Sequence, residues 1–181
     1  MQGITIEIIR DKDLPKNYMV LMNKWRKKEF GRKAIKNFKK DYFPSAKFFF
    51  VKEDKNIVAF GCLRDISIRY LGKTYDLLGI CNIVSIQKGR GYGWILIKAM
   101  IDYLKKTGKT GLGFTVVSGF FKKAGLSVKS NFIKRFIYIN PITKEEIIDD
   151  EGDGIYYDGK DHFIKKVLST KSTVYINILH W

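Results

Sequence analysis

The sequence predicts a mixed α/β (α+β) fold in which a mostly antiparallel central sheet is flanked by helices. Strand-like runs follow one another between short turns from Lys47 to Ser85, as in an antiparallel meander. The last of these runs leads into a glycine-rich loop and then into apolar residues at helical spacing. No repeat or linker interrupts the chain, so residues 1–181 are expected to form a single domain.

The amino-terminal part predicts a strand followed by two helices. Alternating apolar and polar residues indicate the strand, and Asp13 with Pro15 resembles a helix cap and first turn. Val20, Leu21 and Trp25 would form the apolar side of the first helix. The elements expected here are a strand over Ile4–Ile9, a helix from Asp13 to about Lys28, and a short helix over Ala34–Asp41 that ends at Pro44.

The rest of the chain predicts the meander, a long helix and several short elements. The long helix presents Leu96, Met100 and Leu104 on one side and ends at Gly108. The expected strands are Lys47–Lys52, Ile57–Tyr70, Tyr75–Ser85, Leu112–Val117, Phe132–Ile139 and Val174–Leu179, with a short helix over Gly119–Ala124.

The most informative feature of the composition is its large positive net charge. The formal net charge is +16, with basic residues dense from Lys24 to Lys55 and acidic residues gathered from Glu145 to Asp161. Such a balance suits a nucleic acid, an anionic membrane or a polyanionic cofactor, and it also follows from the Lys-rich composition that an AT-rich gene produces. No run of about 18 apolar residues and no signal peptide is present, so a soluble cytoplasmic protein without a membrane partner is expected.

The residues that usually bind metals or act as nucleophiles are few. Cys62 and Cys81 both lie in apolar, strand-like runs, which favours two buried, reduced thiols. His162 and His180 are isolated, and no paired-cysteine motif accompanies them. The sequence therefore predicts no metal site and no Ser-His-Asp or Cys-His catalytic arrangement.

The loop Lys88-Gly89-Arg90-Gly91-Tyr92-Gly93 is the clearest functional signal. Glycine allows the backbone to turn sharply and to approach another group closely. A helix start offers unpaired N–H groups and a partial positive charge. Three alternating glycines between a strand and a helix therefore predict a site for a phosphate group.

Two common phosphate motifs do not account for this pattern. A dinucleotide fingerprint requires G-x-G-x-x-G and an acidic residue at the end of the next strand, whereas the next strand here ends in Val116-Val117. Gly108-Lys109-Thr110 resembles the end of a P-loop, but Tyr103 stands where the first glycine is needed and a strand follows.

The glycine loop resembles the acetyl-coenzyme A (acetyl-CoA) site of the GNAT acetyltransferase superfamily. The family signature is a strand, then [Q/R]-x-x-G-x-[G/A], then a helix, with Lys in the first place here. A second family motif, F-Y-x-x-x-G-F in a short helix, corresponds to Phe120-Phe121-Lys122-Lys123-Ala124-Gly125-Leu126. The order of helix, meander and loop extends the resemblance over nearly the whole chain.

This resemblance implies an acetyl-CoA-dependent N-acetyltransferase that acts on a primary amine. The N–H groups of Gly89, Arg90, Gly91, Tyr92 and Gly93 would bind the pyrophosphate, and the charges of Lys88 and Arg90 would help. The strand edge at Ile83, Val84 and Ser85 would pair with the pantetheine arm, and Phe121 would pack along the cofactor.

Two departures from the family leave the catalytic residues unknown. Phe121 stands where many members have a Tyr that protonates the leaving thiolate. The strand before the loop reads Leu77-Leu78-Gly79-Ile80-Cys81-Asn82, without the Glu base found in many members. Cys81, Asn82 and Ser118 are weak catalytic candidates.

A narrower resemblance is to aminoglycoside 2′-N-acetyltransferases. The stretch from Tyr70 to Ser118, the acidic run Asp149–Gly154 and the final Trp181 are similar to that family. The resemblance implies contacts of Ser118, Asp153 and Trp181 with a cationic small-molecule acceptor. The acidic run also fits a solvated loop, and Trp181 also fits a hydrophobic contact at the C-terminus.

Two other functions stay open at this stage. A GNAT fold without the usual acid and base suits a protein that binds coenzyme A without turnover. A nucleic-acid-binding module would use the basic, aromatic stretch from Trp25 to Phe50. Phe48-Phe49-Phe50 lies in a predicted buried strand, which argues against base stacking. We therefore do not expect nucleic acid as a partner, and a homodimer is compatible with the sequence.

Overall fold

The computed structural model describes residues 3–36, 45–140 and 142–176. The strands are β1 (Ile4–Arg10), β2 (Lys47–Glu53), β3 (Asn56–Tyr70), β4 (Lys73–Ser85), β5 (Gly111–Thr115), β6 (Ser127–Lys129), β7 (Phe136–Ile139), β8 (Glu146–Ile148), β9 (Asp153–Tyr157) and β10 (Val174–Ile176). The α-helices are α1 (Lys16–Phe30), α2 (Tyr92–Thr107), α3 (Ser118–Lys123) and α4 (Phe163–Leu168), and 3-10 helices cover Asp11–Asp13, Arg32–Ala34 and Phe132–Arg135.

The chain divides into two compact units. The first comprises Met1–Arg64 and Cys81–Ala99, and the second comprises Asp65–Ile80 and Met100–Trp181. Strands β3 and β4 and helix α2 contribute residues to both units. None of the helices in the described ranges has the length and hydrophobicity that a bilayer crossing requires.

In the first unit, β1, β2 and β3 form an antiparallel sheet with a helix on each face. Phe50 pairs with Phe60, and the next pair along is Phe49 with Gly61. Neighbouring pairs point to opposite faces of a sheet. The ring of Tyr18 in α1 lies 4.8 Å from that of Phe50, so α1 covers the face of the Phe50 pair.

The lack of a side chain at Gly61 allows α2 to pack on the other face of this sheet. A Cβ atom at Gly61 would lie 2.5 Å from Cδ1 of Ile83 and 3.4 Å from Cδ2 of Leu96. Leu96 belongs to α2 and is fully buried. The missing side chain thus makes room for the helix that follows the glycine loop.

In the second unit, the strands follow the order β6-β9-β5-β4-β3-β10-β7-β8. The pairs β4–β5 and β7–β10 are parallel, and β3–β10, β5–β9, β6–β9 and β7–β8 are antiparallel. One face packs on a core that includes Leu112, Phe132, Phe136 and Phe163. The fold class is therefore confirmed as mixed α+β, with a sheet that is mostly antiparallel.

The strands of the meander and the glycine loop lie where the sequence placed them, whereas several other expectations were wrong. Helix α1 buries Met22 and Arg26, and the expected apolar residue Val20 is 64% exposed. Its N-cap is Pro15, not Asp13. Asp13 instead bonds the Arg10 guanidinium.

Two further predicted elements need correction. The short helix expected from Ala34 is not formed over the described residues, because Arg32–Ala34 forms a 3-10 turn and Ile35 is extended. Residues 37–44, including Pro44, lie outside the described ranges. The expected strand Phe132–Ile139 begins with a 3-10 turn through Arg135. Strands β6, β8 and β9 and helix α4 were not predicted. The last three residues of the strand expected over Val174–Leu179 lie outside the described ranges.

Candidate functional site

The loop between β4 and α2 takes the backbone shape that its glycines allow. Gly89 and Gly91 have φ angles of +79° and +80°, a region that side-chain-bearing residues rarely adopt. Apart from the glycine and its chain neighbours, no heavy atom of the described residues lies within 4 Å of where a Cβ would stand at either glycine. The glycines therefore serve the turn and leave open space beside the backbone. Gly93 lies in the first turn of α2.

The start of α2 supplies the donors that an anion needs. The N–H groups of Trp94 and Ile95 both donate to the carbonyl of Gly91, at 3.0 and 3.1 Å. Since the helix begins at Tyr92, the N–H groups of Tyr92 and Gly93 precede any acceptor within the helix. The positive end of the helix dipole lies at the same place, so the loop fits a phosphate group.

The charged side chains of the loop have protein partners. The Lys88 ammonium lies 2.7 Å from the Glu29 carboxylate, with Lys88 74% exposed. The positive charge of Arg90 acts on the hydroxyl of Tyr92. Both cations expected to assist the loop are present at it, and Lys88 is held by its ion pair with Glu29.

Tyr92 fixes the loop to the sheet of the first unit. Its side chain is 2% exposed, and its hydroxyl donates to the Glu53 carboxylate at 2.5 Å. This hydrogen bond raises the pKa of Tyr92, with burial adding to the shift and Arg90 opposing it. The side chain is therefore a structural anchor, and only the backbone N–H of Tyr92 fits an anion.

The strand that enters the loop contains a kink at Asn82. This residue has a φ angle of +58° within β4, and Asn tolerates this conformation better than most residues. Its side-chain amide donates to the Cys62 sulfur at 3.3 Å. Beyond the kink, Val84 is buried, Ile83 and Ser85 are half-buried, and the Ile86 N–H pairs with the Val58 carbonyl at 2.9 Å.

Cys62 and Cys81 lie face to face in the interior of the first unit. Their sulfur atoms are 2.9 Å apart, and both thiols are free and buried. Burial opposes ionisation of Cys62, but hydrogen bonds from Cys81 and Asn82 and the positive charges of Arg26 and Arg64 lower its pKa. Burial and the bond to Cys62 raise the pKa of Cys81. The two thiols therefore form a hydrogen-bonded pair in the interior of the first unit.

In the second unit, two residues named from the sequence form a hydrogen-bonded pair. The Ser118 hydroxyl at the start of α3 donates to Oδ2 of Asp153 at 2.6 Å. The N–H of Asn131 donates to Oδ1 of the same carboxylate at 3.0 Å. The Ser118 bond, followed by the Asn131 bond, lowers the pKa of Asp153. Asp153 thus joins β9 to α3, and its role toward an acceptor stays a prediction.

The aromatic pair of α3 has one buried ring and one exposed ring. Phe121 is 6% exposed and Phe120 is 42% exposed. The two rings meet edge to face with centroids 5.2 Å apart. Phe121 is therefore part of the packing of the second unit, and its contact with a cofactor stays a prediction.

Some predictions lie beyond what the structure describes, and some contacts were missed. Trp181 is outside the described residues. Among the residues that are described, no three His, Cys, Asp or Glu side chains are placed to hold a metal ion. Glu29 and Glu53 had no sequence signal, because each meets the loop from a distant part of the chain.

The fold and the loop together define the class of protein that the chain resembles. The structure has the fold of the GNAT, or GCN5-related, N-acetyltransferases. It is similar to an Escherichia coli GNAT family N-acetyltransferase, YhbS, solved in complex with coenzyme A (TM-score 0.62, 10% identity, 97% of this chain and 90% of that one).

Two further solved structures share the fold. An acyl-CoA N-acyltransferase from Pseudomonas aeruginosa aligns with a TM-score of 0.56 and 13% identity over 84% of this chain and 98% of that one. An N-acetyltransferase from Staphylococcus aureus Mu50 aligns with a TM-score of 0.52 and 14% identity over 84% and 97%. No protein-family model matches the sequence, and no curated protein matches it significantly.

Proposed function

We propose that the protein is an acetyl-CoA-dependent N-acetyltransferase that transfers the acetyl group to a primary amine of a small, cationic acceptor. The observation that supports this most directly is the open glycine loop at the start of α2, within a GNAT fold. A tight turn alone would explain one positive φ angle. Two of them, followed by helix N–H donors, suit a pyrophosphate group.

Different residues of the first unit bind different parts of the cofactor. The N–H groups from Gly89 to Gly93 hold the pyrophosphate, and Arg90 adds charge beside it. The backbone of Ile83, Val84 and Ser85 pairs with the pantetheine arm as an added strand would. The bonds from Tyr92 to Glu53 and from Lys88 to Glu29 keep the loop in shape before the cofactor arrives.

Acetyl-CoA supplies an activated thioester, so the protein has mainly to position the acceptor. The amine loses its ammonium proton to solvent, and the neutral nitrogen attacks the thioester carbonyl. The C–S bond breaks, the thiolate leaves with the electron pair, and the second proton released by the nitrogen passes to the thiolate or to solvent. A thiolate is a good leaving group because the pKa of a thiol is about 8.5. Phe121 has no acidic proton to donate, and the Cys81 thiol is hydrogen-bonded to the Cys62 thiol. The positioning of the acceptor against the thioester therefore contributes most of the rate.

A coenzyme A-binding protein without turnover is the second candidate. The buried, hydroxyl-free ring of Phe121 favours it. The burial of Phe48, Phe49 and Phe50, which are all at most 1% exposed, argues against their use in a nucleic-acid-binding module. Rings that are buried in this way do not stack on bases.

A binding experiment with two matched glycine variants tests the cofactor site. Gly91→Asp adds a negative charge and backbone strain to the loop, and we expect it to weaken acetyl-CoA binding at least about tenfold. Gly72→Asp introduces the same charge and strain at the β3–β4 turn, where φ is +74° and the space is also open, so it should bind normally. Calorimetry measures both, and equal affinities would contradict the assignment.

Turnover is tested separately from binding. Amines, amino sugars and peptides are incubated with acetyl-CoA and the protein, and each acceptor is weighed by mass spectrometry. A mass increase of one acetyl group identifies a substrate. Tight coenzyme binding without any acetylated product would instead establish the second candidate.

A further inference from the structure

A cavity of about 290 Å³ opens in the second unit beside the end of β5. Its wall includes Phe114, Val116, Phe136, Tyr138, Ile147 and Ile176. Residues alternate between the two faces of a strand. Gly111 of β5 faces Leu104 of α2, so Leu112 and Phe114 face the opposite side, toward the core around Phe136.

The wall of this cavity is apolar. It is buried on one side and exposed to solvent on the other. The rings of Phe114 and Phe136 meet edge to face with centroids 5.0 Å apart, and Phe136 is 2% exposed. Val116 also lines the cavity but is 78% exposed. A concave, mostly apolar lining with a few polar groups is typical of a ligand site.

Two carboxylates complete the lining. Asp149 and Glu151 belong to the segment between β8 and β9. The described residues that line the cavity include no Lys or Arg, although the chain carries a formal net charge of +16. Because nearby charges outweigh distant, screened ones, this cavity favours a cation over an anion.

We propose that this cavity binds an organic amine that carries a compact apolar body. The ammonium group lies toward Glu151, and the body packs on Phe114, Phe136 and Val116. Aromatic rings add to the attraction because their faces favour cations. This inference rests on the proposed function in one respect: for an N-acetyltransferase, such a ligand is the acceptor.

The volume sets the size of the ligand. A dry cavity of about 150 Å³ accommodates benzene, so about 290 Å³ holds one ring with a short chain. A three-ring amino sugar would extend beyond the cavity, and the hydroxyl groups inside it would lose water against an apolar wall. The cavity therefore disfavours an aminoglycoside and favours a single-ring or short aliphatic amine.

Calorimetry without acetyl-CoA tests the site with three probes. 2-Phenylethylamine has the charge and the body, 2-phenylethanol has the body alone, and 1,4-diaminobutane has charges without the body. We expect 2-phenylethylamine to bind at least about tenfold more tightly than either control, since each control lacks one of the two interactions. Equal or tighter binding of 1,4-diaminobutane would overturn the proposal.

Matched variants locate the bound amine. Glu151→Gln should weaken 2-phenylethylamine about fivefold or more, whereas Asp150→Asn, at an exposed carboxylate outside the lining, should not. Ile147→Trp fills the cavity and should abolish binding, with thermal melting used to verify folding. If both lining variants bind as the wild type does, the amine lies elsewhere and the proposal is wrong.

The experiment separates this inference from the proposed function. Binding of 2-phenylethylamine that depends on Glu151, in a protein that does not bind acetyl-CoA, supports the cavity and contradicts the acetyltransferase. Acetyl-CoA binding and acetylation of 1,4-diaminobutane, with no heat from 2-phenylethylamine, supports the acetyltransferase and overturns the cavity assignment.

Discussion

The carboxylate of Glu29 lies 2.7 Å from the ammonium of Lys88, which puts a negative charge from the end of α1 beside the glycine loop. Glu29 is the less exposed partner, with 20% of its side chain accessible. The pair holds the loop in place before a ligand binds. It also means that a phosphate group must compete with Glu29 for this lysine.

Replacing Glu29 should strengthen coenzyme binding. Glu29→Gln keeps the shape of the side chain and removes its charge, so Lys88 becomes available to the phosphates. Exposed ion pairs contribute about 0.2–1 kcal/mol, so we expect acetyl-CoA affinity to rise by a factor of about 1.4 to 5 at low salt. The gain should shrink as salt increases, because screening weakens exposed charges.

The control for this prediction is another exposed carboxylate of the first unit. Asp13 pairs with Arg10 at 2.9 Å, and Asp13→Asn removes one negative charge in the same way. Calorimetry should find its acetyl-CoA affinity unchanged. A loss of affinity in Glu29→Gln would show that the pair is needed for the shape of the loop more than it competes with the ligand.

Phe121→Tyr should leave turnover within about twofold of the wild type or raise it. A ring without a hydroxyl has no part in proton transfer, and a tyrosine there adds a group that protonates a thiolate in other enzymes of this fold. Phe120→Tyr is the control, since its ring is 42% exposed. Steady-state kinetics that show a large loss of kcat with normal coenzyme binding would contradict this.

The dependence of the rate on pH should reflect the acceptor rather than the protein. If no side chain acts as a general base, only the neutral amine reacts, and an alkylamine has a pKa of about 10.4. We expect kcat/KM to rise about tenfold per pH unit from pH 6 to 9. A plateau that begins near pH 7 would reveal a general base in the protein.

Asp153 should stabilise the second unit at neutral pH and lose this effect in acid. Its pKa is lowered from the usual 3.8 by Ser118 and Asn131. A lowered pKa in the folded state contributes stability that is complete above about pH 4 and is lost as pH falls through the lowered value. Asp153→Asn should reduce Tm by about 2–4 °C at pH 7.

Melting curves from pH 7 down to pH 2 measure this effect. The difference in Tm between the wild type and Asp153→Asn should stay constant down to about pH 4 and then narrow. Asp150→Asn, at an exposed site, should change Tm little at any pH. A difference that widens in acid would contradict the role of the ionised carboxylate.

The local features of the fold could be predicted from the sequence. The meander follows from apolar runs between turns such as Leu71-Gly72, where both residues have positive φ angles. The glycine loop follows from its residues alone. Strand β9 was missed because its three apolar residues, Ile155–Tyr157, follow an acidic run and their partners in β5 are distant in sequence.

The contacts that hold the glycine loop in place were also harder to predict, because their partners are distant in sequence. Glu29 and Lys88 are 59 residues apart, and Glu53 and Tyr92 are 39 apart. The motif Gly108-Lys109-Thr110 leads into β5 rather than into the helix that follows a P-loop, and the sequence did not predict its role. Thr110 is fully buried, donates to Asp161 at 2.7 Å and accepts from the Gly159 N–H at 2.8 Å.

The late position of β9 affects how the protein is made. Strand β5 ends at Thr115, and β9, its antiparallel neighbour, ends at Tyr157. At about 5–20 residues per second, a ribosome takes about 2–8 s to synthesise the intervening chain. During that interval this edge of β5 has no partner, and an unpaired edge favours association between nascent chains. Slower translation between these strands should therefore lower the soluble yield in cells.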